Sequence, residues 1–169
     1  MRTATRAGLA LFGAVVLAGT TATAASAATD ATTATVAVTA GALSISVPGS
    51  TTLSDAAPGG VATGTLADIT VSDLTADELG WTADVTVTAF TSGDETLPAS
   101  GFSYDTGSAV TTGTATVTPT DTGATGVVQQ ATAVRGNNTA EWDAALSLQV
   151  PSDALAASNY TATITHSVL

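Results

Sequence analysis

A strict alternation of apolar and polar residues from Trp81 to Phe90 constrains the fold more than any other feature. Trp81, Ala83, Val85, Val87 and Ala89 share one face, and threonines and an aspartate fill the other. This period of two over such a length predicts a half-buried β-strand. A second alternating stretch, Trp142 to Val150, begins with the chain's other tryptophan. The two stretches together predict a core built from strands.

Shorter alternating segments and turn signals predict the other strands. We expect them over residues 35–39, 42–47, 65–71, 114–118, 124–133 and 159–169. Turn or loop signals lie at Ala40-Gly41, 51–60, Gly93-Asp94 and 135–138, and one helical turn is expected within 152–158. The pattern predicts an all-β fold: a single antiparallel β-sandwich of about eight to ten short strands.

The first 27 residues have the features of a secretory signal peptide. Arg2 and Arg6 precede an apolar run, and Ala25-Ser26-Ala27 gives the small-residue pattern of a cleavage site. The apolar run is shorter than the roughly 20 residues that a membrane-spanning helix requires. We therefore expect cleavage after Ala27, no membrane insertion afterwards, a flexible leader over 28–34 and one domain over 35–169.

The charge balance of the mature chain argues against nucleic acid and against anionic lipid as partners. Arg135 is the only basic residue after Ala27, whereas all 14 acidic residues follow it, so the net charge is −13. Binding to nucleic acid requires cations that contact phosphates, and so does binding to anionic lipid. Neither is expected here.

Few residues suggest catalysis. The chain has no cysteine, and its one histidine, His166, is next to Ser167 on a strand where neighbours point to opposite faces. Glu141 and Asp143 flank Trp142 and could suggest glycoside cleavage, but a solvated outer strand face explains them more simply. We predict no enzymatic activity and no cofactor.

Two kinds of binding residue stay open. Asp73, Asp77 and Glu78 are weak candidates for a calcium site, because their spacing matches no known calcium loop and acidic loops also serve solubility. The aromatic residues Trp81, Trp142 and Tyr160 are candidates for stacking on a carbohydrate. Each also opens an apolar strand face, and aromatic residues in that position usually belong to the core.

Several segments, taken in order, resemble the WxL-domain family of bacterial surface proteins. They are Ile69-Thr70-Val71-Ser72-Asp73, Leu79-Gly80-Trp81-Thr82-Ala83-Asp84-Val85, Phe90, Leu97-Pro98-Ala99-Ser100, Trp142-Asp143-Ala144-Ala145-Leu146-Ser147-Leu148 and the closing segment 159–168. The resemblance extends over 35–169. The leucine of the Trp-x-Leu motif is replaced in both places, by Ala83 and by Ala144. Alanine keeps these positions apolar but buries less area.

The resemblance implies a secreted, non-catalytic β-sandwich at the bacterial cell surface. Members of the family associate non-covalently with the cell wall, with peptidoglycan as the proposed ligand, and some act beside other surface proteins. Wall glycan or a wall-associated protein is therefore the expected partner. A protein that self-assembles through exposed sheet edges is the first alternative. A secreted carbohydrate-binding or carbohydrate-cleaving module is the second.

Overall fold

The computed structural model describes residues 28–169, so the predicted signal peptide lies outside the described residues. The chain divides after Val36 into two units. The described part of the first unit, residues 28–36, is exposed and contains no helix or strand. The second unit, Ala37–Leu169, contains nine strands: β1 (Leu43–Ser46), β2 (Val61–Asp73), β3 (Trp81–Val87), β4 (Phe90–Ser92), β5 (Glu95–Leu97), β6 (Phe102–Thr106), β7 (Val110–Pro119), β8 (Thr125–Gln149) and β9 (Ile164–Val168).

Strand β8 is the centre of the fold. Its 25 residues pair antiparallel with β3 near their start and with β2 towards their end, while β7 and β6 follow each other along the opposite edge. Positive φ angles at Ala133 (51°) and Gly136 (66°) occur where the register with β7 shifts. Irregularities of this kind bend a strand, so one strand can contribute to both halves of a curled sheet.

The main sheet curls until its two ends approach each other. Its strand order is β1-β2-β8-β3-β9, and terminal strands β1 and β9 come close without a hydrogen-bonded ladder between them. A separate hairpin is formed by β4 and β5, and Ala99–Gly101 form a single 3-10 turn. The predicted all-β, antiparallel fold is confirmed, and the curled sheet is consistent with the predicted β-sandwich.

The core follows the alternation seen in the sequence. Trp81 and Trp142 are each 2% exposed, and the residues that alternate with them are also buried: Ala83, Val85, Val87, Ala144, Leu146, Leu148 and Val150. Gly80 permits this packing at the start of β3, because a Cβ there would collide with the carbonyl oxygen of Ala131. Replacing a fully buried leucine such as Leu146 by alanine is expected to cost about 2–5 kcal/mol.

Three local predictions are wrong. No strand forms over 35–39 and no hairpin turn follows it, because an alternating segment becomes a strand only when a neighbour pairs with its backbone. The expected turn at 135–138 is instead part of β8: Arg135 pairs with Thr114 of β7, and Asn138 pairs with Gly113 of β7 and Asp73 of β2, while Gly136 between them keeps a positive φ. Residues 152–158 contain a turn but no helix, and β9 begins at Ile164, later than expected.

Within residues 28–169, no helix has the length and apolar character needed to cross a membrane.

Candidate functional site

Trp81 belongs to a buried chain of hydrogen bonds. Its indole N–H donates to Asn138 Oδ1 at 3.1 Å, and Asn138 Nδ2 donates to Asp73 Oδ2 at 2.7 Å. Asp73 Oδ1 accepts from the backbone N–H of Thr75 at 3.1 Å and from its hydroxyl at 2.6 Å. The chain of bonds links β3, β8 and the end of β2. It satisfies polar groups whose burial would otherwise be costly.

Asp73 is ionised within this chain of bonds. Its burial, with 2% of the residue exposed, acts to raise the pKa. The hydrogen bonds from Thr75 and Asn138 favour the carboxylate more strongly and hold the pKa below its ordinary value of 3.8. The residue therefore acts as a fixed acceptor that orients the Asn138 amide towards Trp81.

Trp142 lies in a different polar setting. Its Nε1 is buried and has no hydrogen-bond partner among residues 28–169. Nearby, the hydroxyl of Tyr104 and Nε2 of His166 are 2.9 Å apart, with their rings packed edge to face at a centroid distance of 5.6 Å. This contact joins β6 to β9 across the interior. Sequence patterns gave no sign of it, because both residues occupy ordinary inward positions on their strands.

Burial changes the acidity of both partners. It raises the pKa of Tyr104 to about 12, while the indole N–H of Trp142 opposes the shift without reaching the geometry of a hydrogen bond. Burial also lowers the pKa of His166 below 6.5. Both groups are therefore neutral near pH 7. His166 Nδ1, like Trp142 Nε1, has no partner among the described residues.

The burial of the tryptophans removes them from the surface. Neither Trp81 nor Trp142 presents a ring face to solvent, so a sugar has no access to them in this conformation. The alternative interpretation, that they are core residues, agrees with their positions. Tyr160 differs because it is only partly buried. It is the one predicted aromatic that reaches the surface.

Two of the three weak calcium candidates accept hydrogen bonds within the chain. The Asp73 carboxylate accepts from Thr75 and Asn138, and Asp77 Oδ1 accepts from the backbone N–H of Leu79 at 2.8 Å. The third, Glu78, is exposed. The described part of the chain contains no group of three or more acidic or histidine side chains placed to hold a metal ion. The structure therefore gives no geometric support to a calcium site at these three residues.

Glu141 and Asp143 lie on the outer face of β8 and are exposed. Asp143 Oδ1 accepts from the backbone N–H of Asp68 at 3.0 Å, where β2 has a bulge between Leu66 and Ile69. Asp68 has a positive φ of 57°, an unusual conformation that this hydrogen bond helps to hold. Asp143 thus has a structural role that the sequence pattern did not indicate.

The surface around Tyr160 forms an open cleft of about 440 Å³. Tyr160 is held in place by its hydroxyl, which donates to the Leu155 carbonyl at 2.8 Å. The next residue is also fixed, since Thr161 and Thr91 exchange two backbone hydrogen bonds of 2.9 Å. The other lining residues come from β5 and from the segment after β8: Glu95, Thr96, Leu97, Pro98, Pro151, Asp153, Ala154 and Leu155.

The composition of this cleft suits a neutral, hydroxyl-rich ligand. Tyr160 and Leu155 offer apolar surface, and the exposed carboxylates of Glu95 and Asp153 can accept hydrogen bonds from hydroxyl groups. No cation lines it, so an anionic ligand would be repelled. We call it the Tyr160 cleft. Only Tyr160 was predicted from the sequence, because the cleft assembles three distant segments.

Comparison with known proteins assigns the chain to no group: no family model matches the sequence, and no curated protein matches it.

Proposed function

We propose that the chain is a secreted, non-catalytic surface domain that associates non-covalently with cell-wall glycan, or with a wall-associated protein, through the Tyr160 cleft. The observation that carries the proposal is the placement of Tyr160. Of the three aromatic residues predicted to bind, only this one is accessible, and it lines a cleft together with Glu95 and Asp153. The signal peptide pattern and the resemblance to WxL domains supply the location and the ligand class.

The first experiment is sedimentation with isolated peptidoglycan. Residues 28–169 are incubated with the insoluble wall material, and the protein in the pellet is measured over a range of wall concentrations. The proposal predicts saturable binding. Protein that stays in the supernatant at every concentration would contradict wall binding.

Variants locate the binding surface. Tyr160→Ala removes the stacking face and is expected to weaken binding about tenfold, equivalent to about 1.4 kcal/mol. Tyr160→Phe keeps the ring but loses the hydrogen bond to the Leu155 carbonyl, so it should weaken binding less than Tyr160→Ala does. Leu79→Ala serves as the control because Leu79 is 73% exposed and does not line the cleft. If Leu79→Ala weakens binding as much as Tyr160→Ala, the cleft is not the site.

The absence of catalysis is tested on the same material. Incubation with peptidoglycan should release no soluble fragments. If the natural chain releases fragments and Glu141→Gln does not, the protein is a carbohydrate-cleaving enzyme and the proposal is wrong.

Self-association through sheet edges is a second candidate function, and one observation favours it. Strand β7 pairs with β8 along one edge, and no described strand pairs with its other edge. Exposed edges of this kind are able to pair with another chain.

A further inference from the structure

We propose that residues 35–39 of one copy of this chain pair, as an added β-strand, with the open edge of β7 in a second copy. The inference rests on self-association, the second candidate function, and is independent of wall binding. It names the two segments that meet.

The segment 35–39 has the pattern of a strand but no partner strand among residues 28–169. Its valines alternate with smaller residues, yet Val36 is 90% exposed and Val38 is 83% exposed. Its backbone makes no hydrogen bond to any residue of the described chain. An alternating segment that leaves two valines in water gains free energy when a sheet edge accepts it, because the pairing satisfies backbone groups and removes apolar surface from water.

The outer edge of β7 has no described strand beside it over the full length of the strand. Strands β1 and β9 are also unpaired on their outer edges, but they are only four and five residues long and lie close to each other. The outer side of β6 exchanges backbone hydrogen bonds between Tyr104 and Thr122, at 2.8 and 2.9 Å. The outer side of β5 carries Glu95 and ends at Pro98, both of which discourage pairing.

Strand β7 itself lacks these protective features over most of its length. Val110–Pro119 contains no charged residue, and Val110 is 76% exposed. No backbone hydrogen bond extends from this strand to any described residue other than those of β8. A proline occurs only at its last position, and the irregularities that would limit a continuous ladder are two register shifts, one between Gly113 and Thr114 and one between Thr114 and Thr116.

The distribution of charge favours this contact over others. At a net charge of −13, two copies of the mature chain repel each other. Residues 31–54 and 106–120 contain no charged side chain, so residues 35–39 and β7 can approach without bringing carboxylates together. Strand addition supplies backbone hydrogen bonds as well, a known mode of association between chains. Reciprocal exchange would close a dimer, whereas sequential exchange would build an open chain.

The first test is sedimentation velocity of residues 28–169 at increasing protein concentration. The inference predicts growth in mass for the natural chain. The double variant Val36→Asp, Val38→Asp should stay monomeric at concentrations at least about tenfold higher. Both valines are exposed in the single chain, so the substitutions leave the folded domain intact. Leu79→Asp, at another exposed position, is the matched control and should assemble normally.

The outcomes distinguish strand addition by residues 35–39 from self-association in general. If the natural chain is monomeric throughout, both self-association and strand addition are wrong. If the double variant assembles as the natural chain does, strand addition by residues 35–39 is wrong, and self-association occurs through another surface.

Engineered cysteines test the pairing itself, since the chain has none of its own. A chain with Val36→Cys is mixed with chains that carry Thr112→Cys, Thr114→Cys or Thr116→Cys, and mild oxidation is applied. Strand addition predicts a disulfide between different chains for at least one pairing, since neighbouring strands lie within disulfide reach. Thr86→Cys is the control, because Thr86 is exposed but β3 is paired on both edges. Cross-linking at Thr86 to the same extent would overturn the inference.

Discussion

The two tryptophans occupy equivalent strand positions but differ in the partners of their indole N–H groups. Trp81 donates to Asn138, which Asp73 holds in place, and every member of that group has a partner. Trp142 is equally buried, yet its N–H has no partner among the described residues and lies beside the Tyr104–His166 contact. The Trp81 N–H is therefore satisfied, whereas the buried nitrogens Trp142 Nε1 and His166 Nδ1 have no partner among the described residues.

The comparison shows what local sequence can and cannot specify. Alternation places an indole on the inner face in both strands. The hydrogen-bond partner then depends on residues far away in the chain, 57 positions between Trp81 and Asn138 and 65 between Asn138 and Asp73. The predictions that follow test whether this difference in partners is also a difference in stability.

The largest effect is expected when Asn138 is replaced by alanine. The substitution leaves the Trp81 N–H without an acceptor and Asp73 Oδ2 without a donor, while Asp73 Oδ1 keeps its two hydrogen bonds from Thr75. Each unsatisfied group costs about 1–3 kcal/mol, so the free energy of unfolding should fall by about 3 kcal/mol. Urea unfolding measures it. Asn137→Ala, on the exposed neighbour, should change stability by less than about 0.5 kcal/mol. Equal losses in the two variants would contradict the role of Asn138.

The next effect concerns Tyr104 at high pH. Because its pKa is raised to about 12 in the folded chain, the unfolded chain releases the proton first, near pH 10. Stability should therefore be complete below pH 10 and decrease as the pH rises towards 12, by an amount on the order of 2 kcal/mol. Tyr104→Phe should remove this part of the decrease. An unchanged slope in Tyr104→Phe would show that Tyr104 is not responsible.

A smaller effect should distinguish the tryptophans directly. Phenylalanine fills most of either site but cannot donate. Trp81→Phe leaves Asn138 Oδ1 without its donor, whereas Trp142→Phe removes an N–H that already lacks a partner. We expect Trp81→Phe to be more destabilising, by about 1–2 kcal/mol. Calorimetry of the two variants measures the difference. If Trp142→Phe proves the more damaging, the N–H of Trp142 has a partner.

The smallest effect is expected at His166 under mild acid. Burial holds its pKa below 6.5, so the unfolded chain takes up the proton before the folded chain does. The free energy of unfolding should fall as the pH drops below about 6.5, and His166→Gln should reduce this fall. Asp73 contributes separately at lower pH, where stability is lost as the pH falls below 3.8. Unfolding between about pH 7.5 and about pH 5 isolates the histidine from Asp73.

Most of the fold could be predicted because burial on one face leaves a period of two in the sequence. This holds for β3, for the second half of β8 and for the alternation of β9. The errors occurred where pairing decides the structure. Residues 35–39 alternate but pair with no strand among residues 28–169. Residues 135–138 contain turn-forming residues, but Arg135 pairs with β7 and Asn138 with both β7 and β2, which keeps the segment within β8.

The candidate site was less predictable. Tyr160 was identified as an aromatic that opens a strand face, but its cleft depends on β5 and on the segment after β8, which meet it only in the folded chain. The Tyr104–His166 contact and the support of the β2 bulge by Asp143 likewise join residues 62 and 75 positions apart. No local pattern encodes such contacts.

Acrylamide quenching of tryptophan fluorescence tests most directly whether both tryptophans lie in the interior and binding occurs at the Tyr160 cleft. Quenching is measured separately for Trp81 in the Trp142→Phe variant and for Trp142 in the Trp81→Phe variant. We expect blue-shifted emission and weak quenching for both residues, with or without peptidoglycan. Strong quenching of either tryptophan in the folded chain, or protection that appears only when peptidoglycan is added, would contradict this expectation.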